Sequence, residues 1–330
     1  MFRRLSGVPM HWETSPQTRL GNFGDMLAPV IVAALTGRSV GYRHVNQLGS
    51  RLITAGTIGQ AQCRGRVHVW GAGFSGQDDQ HFSPAGGPLR GGVLRRSLLQ
   101  FKVHAARGPY SADVLRSSGF TVPDVHGDPV WLLPSIWPAR TEKQYELGVV
   151  LHISETDDDS EILEEAPLVR YQIPPDMVGS VKLITMRTGR DMDSIRRKVD
   201  EFTSCKRILS TSLHGMVMAE AYGIPCAVFD FHDGDSTFIE TDDDTCALDH
   251  RMRDFYAGLG QSHALVLRQL RHLPTDWEAA IRFIDQNYCG DISYEAGKFL
   301  DSFPNKFGPL LSEPISDLDA LDQLVPLMAD

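Results

Sequence analysis

Short apolar runs that end in glycine or a small polar residue alternate with stretches of helical period. That alternation predicts parallel α/β sheets with ligand loops at the strand ends. Three such runs, 52–56, 67–73 and 102–108, fall in the first half, and 147–154, 181–187, 207–209 and 226–231 follow in the second. Residues 26–35 read as a buried helix closed by Gly37 and entered through 21–25. Proline at 29 requires that helix to start close to Asp25. Pro109 suits a first helical position ahead of 111–118, and 192–203 and 216–223 read as further helices. The opening through Arg19 looks irregular and polar, and 131–140, with Pro134 and Pro138, reads as an interdomain linker. From Leu248 onward the pattern is mainly helical, and the acidic, leucine-bearing tail 316–330 is expected to pack back across the domains.

Length and charge sharpen this picture. A chain of 330 residues has room for two domains, and 42% hydrophobic with 22% charged residues is a globular composition. The net charge of −10 is unevenly spread. Residues 1–140 hold 15 Lys+Arg against 7 Asp+Glu, and the remainder holds 17 against 35. The asymmetry predicts a basic N-terminal domain (1–140), an acidic C-terminal domain (141–290) and a C-terminal helix with an acidic tail (291–330). Arg90, Arg95, Arg96 and Lys102, set among Leu94, Leu98, Leu99 and Phe101, form a solvated face or a contact for anionic lipid or a lipid diphosphate. Nucleic acid is not an expected partner, because no basic-aromatic binding module is present. Five cysteines without C-x-x-C spacing suit a reducing compartment, and no apolar segment follows Met1-Phe2-Arg3-Arg4 as a secretory signal would need. The expected location is the cytoplasm.

The candidate chemistry sits at the strand ends. Ser210-Thr211-Ser212-Leu213-His214-Gly215 joins a strand to a helix, placing Ser210, Ser212 and His214 beside a helix N-terminus that favours an anion. A histidine there can bind phosphate or carboxylate, pass a proton, or serve packing alone. Asp25 is either a helix cap or an acid/base beside a glycine loop. Gly71-Ala72-Gly73-Phe74-Ser75-Gly76 has dinucleotide-loop spacing, but neither an acidic residue about 20 positions on nor a clear helix follows, which favours a strand-end turn. Arg107, at a strand end before Pro109, meets an anion or bridges to a carboxylate. Asp128 is held extended by Pro129 and reads as a scaffold hydrogen-bonder or a catalytic group. His152 lies near the end of the second half's first strand. The acidic segment 155–165 looks like an exposed loop; its run 157–159 lacks calcium-loop spacing, and no metal site is expected.

The pattern Ser-x-Ser-Leu-His-Gly, with a short helix ending in Tyr222-Gly223-Ile224-Pro225, resembles the polysaccharide pyruvyl transferase family, nearest to bacterial exopolysaccharide ketal-pyruvate transferases. Asn22-x-Gly24-Asp25 and Gly127-Asp128-Pro129 match the family as well, and the likeness covers roughly 20–245. The resemblance implies α/β architecture of the glycosyltransferase-B-like kind: two Rossmann-like domains with parallel sheets and flanking helices, facing each other across a cleft. It implies transfer of the enolpyruvyl carbons of phosphoenolpyruvate onto two hydroxyls of one sugar as a cyclic ketal, with release of phosphate. Phosphoenolpyruvate is then a co-substrate and no cofactor is implied. The acceptor would be an oligosaccharide, expected to be polyprenyl-diphosphate-linked and met by the first domain in peripheral contact with the inner membrane. In this scheme His214, with Ser212, Leu213 and the helix N-terminus, holds the phosphate or carboxylate. His152 and Arg107 or Arg187 complete the anion pocket, Asn22, Gly24, Gly73 and Asp128 contribute to substrate binding, and Asp25 is acid or base towards the sugar. Many family members carry arginine where this chain has Ser212, and often at the position of His152. The alternatives are a nucleotide-sugar glycosyltransferase of the same architecture and a non-catalytic binder of polysaccharide or lipid-linked sugar.

Overall fold

A computed structural model describes residues 7–14, 19–76, 99–139, 142–156, 160–163, 165–290 and 292–327. Arg90, Arg95, Arg96 and the acidic run 157–159 lie outside the described residues. In chain order the first elements are β1 (Val8–His11), β2 (Gly21–Asn22), α1 (Phe23–Thr36), β3 (Val40–Tyr42), β4 (Ser50–Ile53), β5 (Gly65–Trp70), β6 (Leu99–Ala105), α2 (Pro109–Ser117) and α3 (Leu133–Ile136). Next come β7 (Leu147–Leu151), β8 (Val181–Thr185), β9 (Arg187–Thr188), α4 (Met192–Thr203), β10 (Ile208–Ser210), α5 (Leu213–Ala221), β11 (Cys226–Asp230) and β12 (Thr237–Glu240). The chain closes with α6 (His250–Gly258), β13 (His263–Arg268), α7 (Trp277–Asn287), α8 (Gly297–Asp301) and α9 (Leu318–Leu324). Contacts divide the protein into two units, Met1–Thr14 with Asp25–Trp137 and Tyr294–Asp330, and Ser15–Gly24 with Pro138–Ser293.

The first unit is built on a parallel sheet in the order β3-β1-β4-β5-β6. That is a doubly wound order, and its direction reverses between β1 and β4. β1 corrects the irregular reading of the opening. Its four residues include Pro9, which removes one ladder donor and disguises an interior strand. Ile53, Val67, Val69, Phe74, Leu99 and Leu115 form its core. Trp70 stacks on Phe299 with centroids 4.3 Å apart and donates to the Phe299 carbonyl at 3.0 Å, which anchors the returning C-terminal segment. In the tail Leu321, Val325 and Leu327 are buried within this unit.

The stretch read as a linker, 131–140, is packed as far as Trp137, and the division between the two units falls within it, at the Trp137–Pro138 step. Pro129 and Pro134 each open a short helical turn, and Val130, Leu132, Leu133, Ile136 and Trp137 are buried. Helix α1 begins at Phe23, so Pro29 lies inside it rather than in its first turn. The missing N–H falls opposite the Asp25 carbonyl, a single lost bond in a helix buried along nearly all its length.

The second unit carries a six-stranded sheet, β12-β13-β11-β10-β7-β8, parallel except for the β12–β13 edge pair. Its order reverses between β7 and β10. Leu147, Val149, Leu151, Leu209, Ala227, Phe229, Leu265 and Leu267 line its core with Trp277 and Ile284 of α7. Strand β13 corrects the helical reading after Leu248; four buried residues between two helices carry too short a period to betray a strand. The two-stranded ribbon β2–β9, antiparallel, belongs to the same unit.

Three histidines of the first unit make its stability acid-sensitive. His68 Nδ1 lies 3.0 Å from His104 Nε2. Burial lowers the pKa values of His68, His104 and His11 from 6.5 to about 4. The folded chain therefore resists protons that the unfolded chain takes up below about pH 6.5, so stability is full above that pH and is lost as pH falls towards 4. Thermal unfolding of the full chain is expected to shift to lower temperature across that window. His68→Leu should show a shallower fall, and parallel curves for the two would contradict the assignment.

Candidate active site

Both reversals of strand order, the places where doubly wound sheets bind ligands beyond their carboxyl ends, carry residues singled out in the sequence. In the second unit the segments leaving β7 and β10 are tied together. The His152 N–H donates to Thr211 Oγ1 at 2.8 Å, and the Thr211 N–H to the Val150 carbonyl at 3.0 Å. The Ser154 N–H donates to His152 Nδ1 at 3.3 Å, and the Ser154 hydroxyl lies 2.8 Å from the same nitrogen. Ser210 Oγ accepts from the Ser212 N–H at 3.0 Å and donates to the Ser212 carbonyl at 2.8 Å, closing the turn on itself. A methyl group on Gly215 would overlap Ser210 Oγ, so glycine is required there.

Helix α5 begins at Leu213, not Met216, and His214 therefore sits in its first turn, buried to 7% exposure. Ser212 occupies the extended cap position without a side-chain cap bond, which leaves the positive end of α5 uncapped by that hydroxyl. The His214 side chain lies against Gly24: a methyl there would overlap Nδ1, Cγ and Cβ. Gly24 is held in turn, since its N–H donates to Asn22 Oδ1 at 3.1 Å and Asn22 pairs with Arg187 in the β2–β9 ribbon. Asn22 thus provides a side-chain bond at the start of α1. The second unit therefore gathers Asn22, Gly24, Arg187, Ser212, Leu213 and His214, with His152 just past the end of the neighbouring strand β7.

In the first unit Asp25 stands in the first turn of α1, its Oδ1 3.0 Å from where a Gly56 Cβ would be. The Gly56 carbonyl accepts from the Gly73 N–H at 2.8 Å. The Arg107 guanidinium lies against Gly73 and donates from Nη1 to Thr57 Oγ1 at 2.7 Å. Asp25, Gly56, Thr57, Gly73 and Arg107 are thereby assembled beside the β1/β4 reversal. Arg107 has 0% exposure, so it braces these loops. Asp128 Oδ1 accepts from the Val130 N–H at 3.0 Å and caps the turn that follows. The structure places Arg107 in the first unit and His152, Arg187 and His214 in the second.

Sequence reasoning missed a polar cluster on the carboxyl side of the second sheet. Glu155, read as part of an exposed loop, is buried; its Oε2 accepts from Thr211 Oγ1 at 2.7 Å and from the Tyr171 hydroxyl at 3.0 Å. Arg170 is fully buried, stacks 3.8 Å above the Phe229 ring and donates from Nη2 to the carbonyls of Phe229 and Asp230. Burial lowers its pKa. Asp230, His232, Arg268 and Arg271 complete the cluster. Only the fold brings these distant positions together, so no local spacing announces them.

A doubly wound α/β protein with an uncapped helix N-terminus and a glycine-packed histidine at a strand-order reversal has the form of an anion-handling enzyme. The sequence profile of polysaccharide pyruvyl transferases matches residues 57–233, more than half of the chain, and the protein belongs to that family. It is accordingly a transferase of the class that moves pyruvate onto polysaccharide. Comparison with curated proteins and with solved structures gave no match. No helix among the described residues is long and apolar enough to cross a membrane.

Proposed function

We propose that the protein transfers pyruvate from phosphoenolpyruvate onto two hydroxyls of one sugar in an exopolysaccharide repeat unit, as a cyclic ketal. The observation that carries this reading, beside the family match, is His214 in the first turn of α5, packed on Gly24 where the strand order reverses. Two hydroxyl protons must leave the sugar: one ends on the vinyl carbon, which becomes a methyl, and the other departs with phosphate. The site therefore needs an anion pocket and groups that take and return protons. His214 and the start of α5 hold the phosphate or carboxylate of the donor. Ser212, Leu213, Asn22 and Gly24 shape the site, and His152 and Arg187 complete it. Asp25 of the first unit, braced through Gly56, Gly73 and Arg107, is the acid or base towards the sugar. Asp128 supports that scaffold. The acceptor is a polyprenyl-diphosphate-linked oligosaccharide, met by the basic first half at the cytoplasmic membrane face. No cofactor is needed, and the glycosyltransferase-B-like arrangement belongs to the same proposal.

The test is phosphate release from phosphoenolpyruvate with and without a membrane extract carrying lipid-linked oligosaccharide. Acceptor-dependent release is the expected result. No release, together with binding of UDP-sugars but not of phosphoenolpyruvate, would replace this reading with a glycosyltransferase.

A further inference from the structure

At the carboxyl end of β11, Asp230 is buried to 7% exposure and organises its surroundings. Its Oδ1 lies 2.7 Å from His232 Nδ1 and accepts from the Phe231 N–H at 2.9 Å. Its Oδ2 accepts from Arg268 Nε at 3.2 Å. This contact engages Nδ1 and directs Nε2 away from the carboxylate. The ring is also stacked on Phe231 with centroids 4.3 Å apart, and Arg271 lies 3.9 Å from the centroid of Phe231. One hydrogen bond and one stacking face fix the imidazole, whose side chain is 37% exposed and open to a ligand.

The register sets this pair beside the histidine turn. Ser210, the last residue of β10 before the histidine turn, pairs with Val228 on the adjacent strand, and Asp230 ends that strand two residues further on. We propose that His232, oriented by Asp230, is a second proton-transfer group of the reaction. The inference rests on the proposed pyruvyl transfer and supplies a group that it requires. Nε2 takes the proton of an attacking sugar hydroxyl as the new C–O bond forms. It returns that proton to the phosphate oxygen as the bond from the ketal carbon to phosphate breaks, so the histidine ends as it began. The charged groups around it include Asp230 at the end of β11, Asp233 next along the chain, Arg268 from β13, Arg271 just beyond β13 with Glu155 3.8 Å from it, and Arg170, whose Nη2 donates to the Asp230 carbonyl at 3.1 Å.

The experiment compares wild type, His232→Gln and Asp230→Asn in acceptor-dependent phosphate release across pH. Thermal unfolding and the histidine ring resonances on addition of phosphoenolpyruvate are recorded alongside. His232→Gln is expected to lower kcat by about 10²- to 10⁴-fold, to leave KM for phosphoenolpyruvate unchanged and to abolish the acid limb of the kcat profile. It should unfold at the wild-type temperature. Asp230→Asn should lower kcat less and displace the limb. An active His232→Gln with the wild-type profile overturns the inference and leaves the proposed function standing. Where the wild type releases no phosphate, the ring resonances decide for this site. In that event a His232 resonance moved by phosphoenolpyruvate still supports the site, and an unmoved one overturns it.

Discussion

His214→Ala is expected to lower kcat/KM for acceptor-dependent phosphate release by about 10²- to 10³-fold, through a raised KM for phosphoenolpyruvate together with a lowered kcat, as when a group that holds the donor anion and its developing charge is removed. Gly24→Ala should reach a similar loss by a different route. Its methyl would overlap the imidazole, and neither the ring, nearly buried in the first turn of α5, nor Gly24, bonded to Asn22, has room to give way. A displacement of about 1 Å at a reacting centre costs on the order of 10²-fold, and overpacking costs about 1–3 kcal/mol of stability. The double variant separates the two effects. In the His214→Ala background the ring is gone but the Cβ of residue 214 still lies 2.6 Å from the added methyl, so the penalty of Gly24→Ala should shrink there without vanishing. An unchanged penalty in both backgrounds, read from urea unfolding, would show that the glycine is needed for its backbone and not for the histidine.

The two strand-order reversals were only half legible in the sequence. The apolar runs at β4, β5, β7, β8, β10 and β11 have strand length and end in turn residues, and the helix 192–203 coincides with its pattern. Strands β1 and β13 escaped because one is four residues long with a proline and the other is embedded between helices. Without β1 the reversal beside Asp25 cannot be located at all. The glycines of the site show a similar limit. Gly24 and Gly73 stood out in motifs, yet their reason, close approach to His214 and Arg107, is a tertiary fact. Glu155 shows the reverse error. An acidic stretch reads as solvent-facing, but Tyr171 and Thr211 offer this carboxylate two hydroxyls, and burial becomes tolerable once those bonds are made.

Arg107→Met is expected to destabilise the chain by about 1–3 kcal/mol and to lower kcat while leaving KM for phosphoenolpyruvate unchanged. A surface arginine that gripped the donor would show the opposite, a raised KM with intact stability. The choice follows from burial: the guanidinium has 0% exposure, lies on Gly73 and donates to Thr57 Oγ1 at 2.7 Å. Methionine fills much of the volume but removes the guanidinium's bond to the half-buried Thr57 hydroxyl, and a hydrogen bond from a charged donor contributes about 1.5–3 kcal/mol. The catalytic part follows from connectivity. Thr57 adjoins Gly56, the Gly56 carbonyl holds Gly73, and Asp25 Oδ1 rests against Gly56, so loosening the arginine lets the acid/base candidate move. Gly73→Ala should reproduce the phenotype from the other side, because its methyl would overlap Arg107 Nη1 and Cζ. Arg107→Lys is not a rescue: an ammonium has no planar fork to lie on the glycine while reaching Thr57, so partial loss of both stability and kcat is expected.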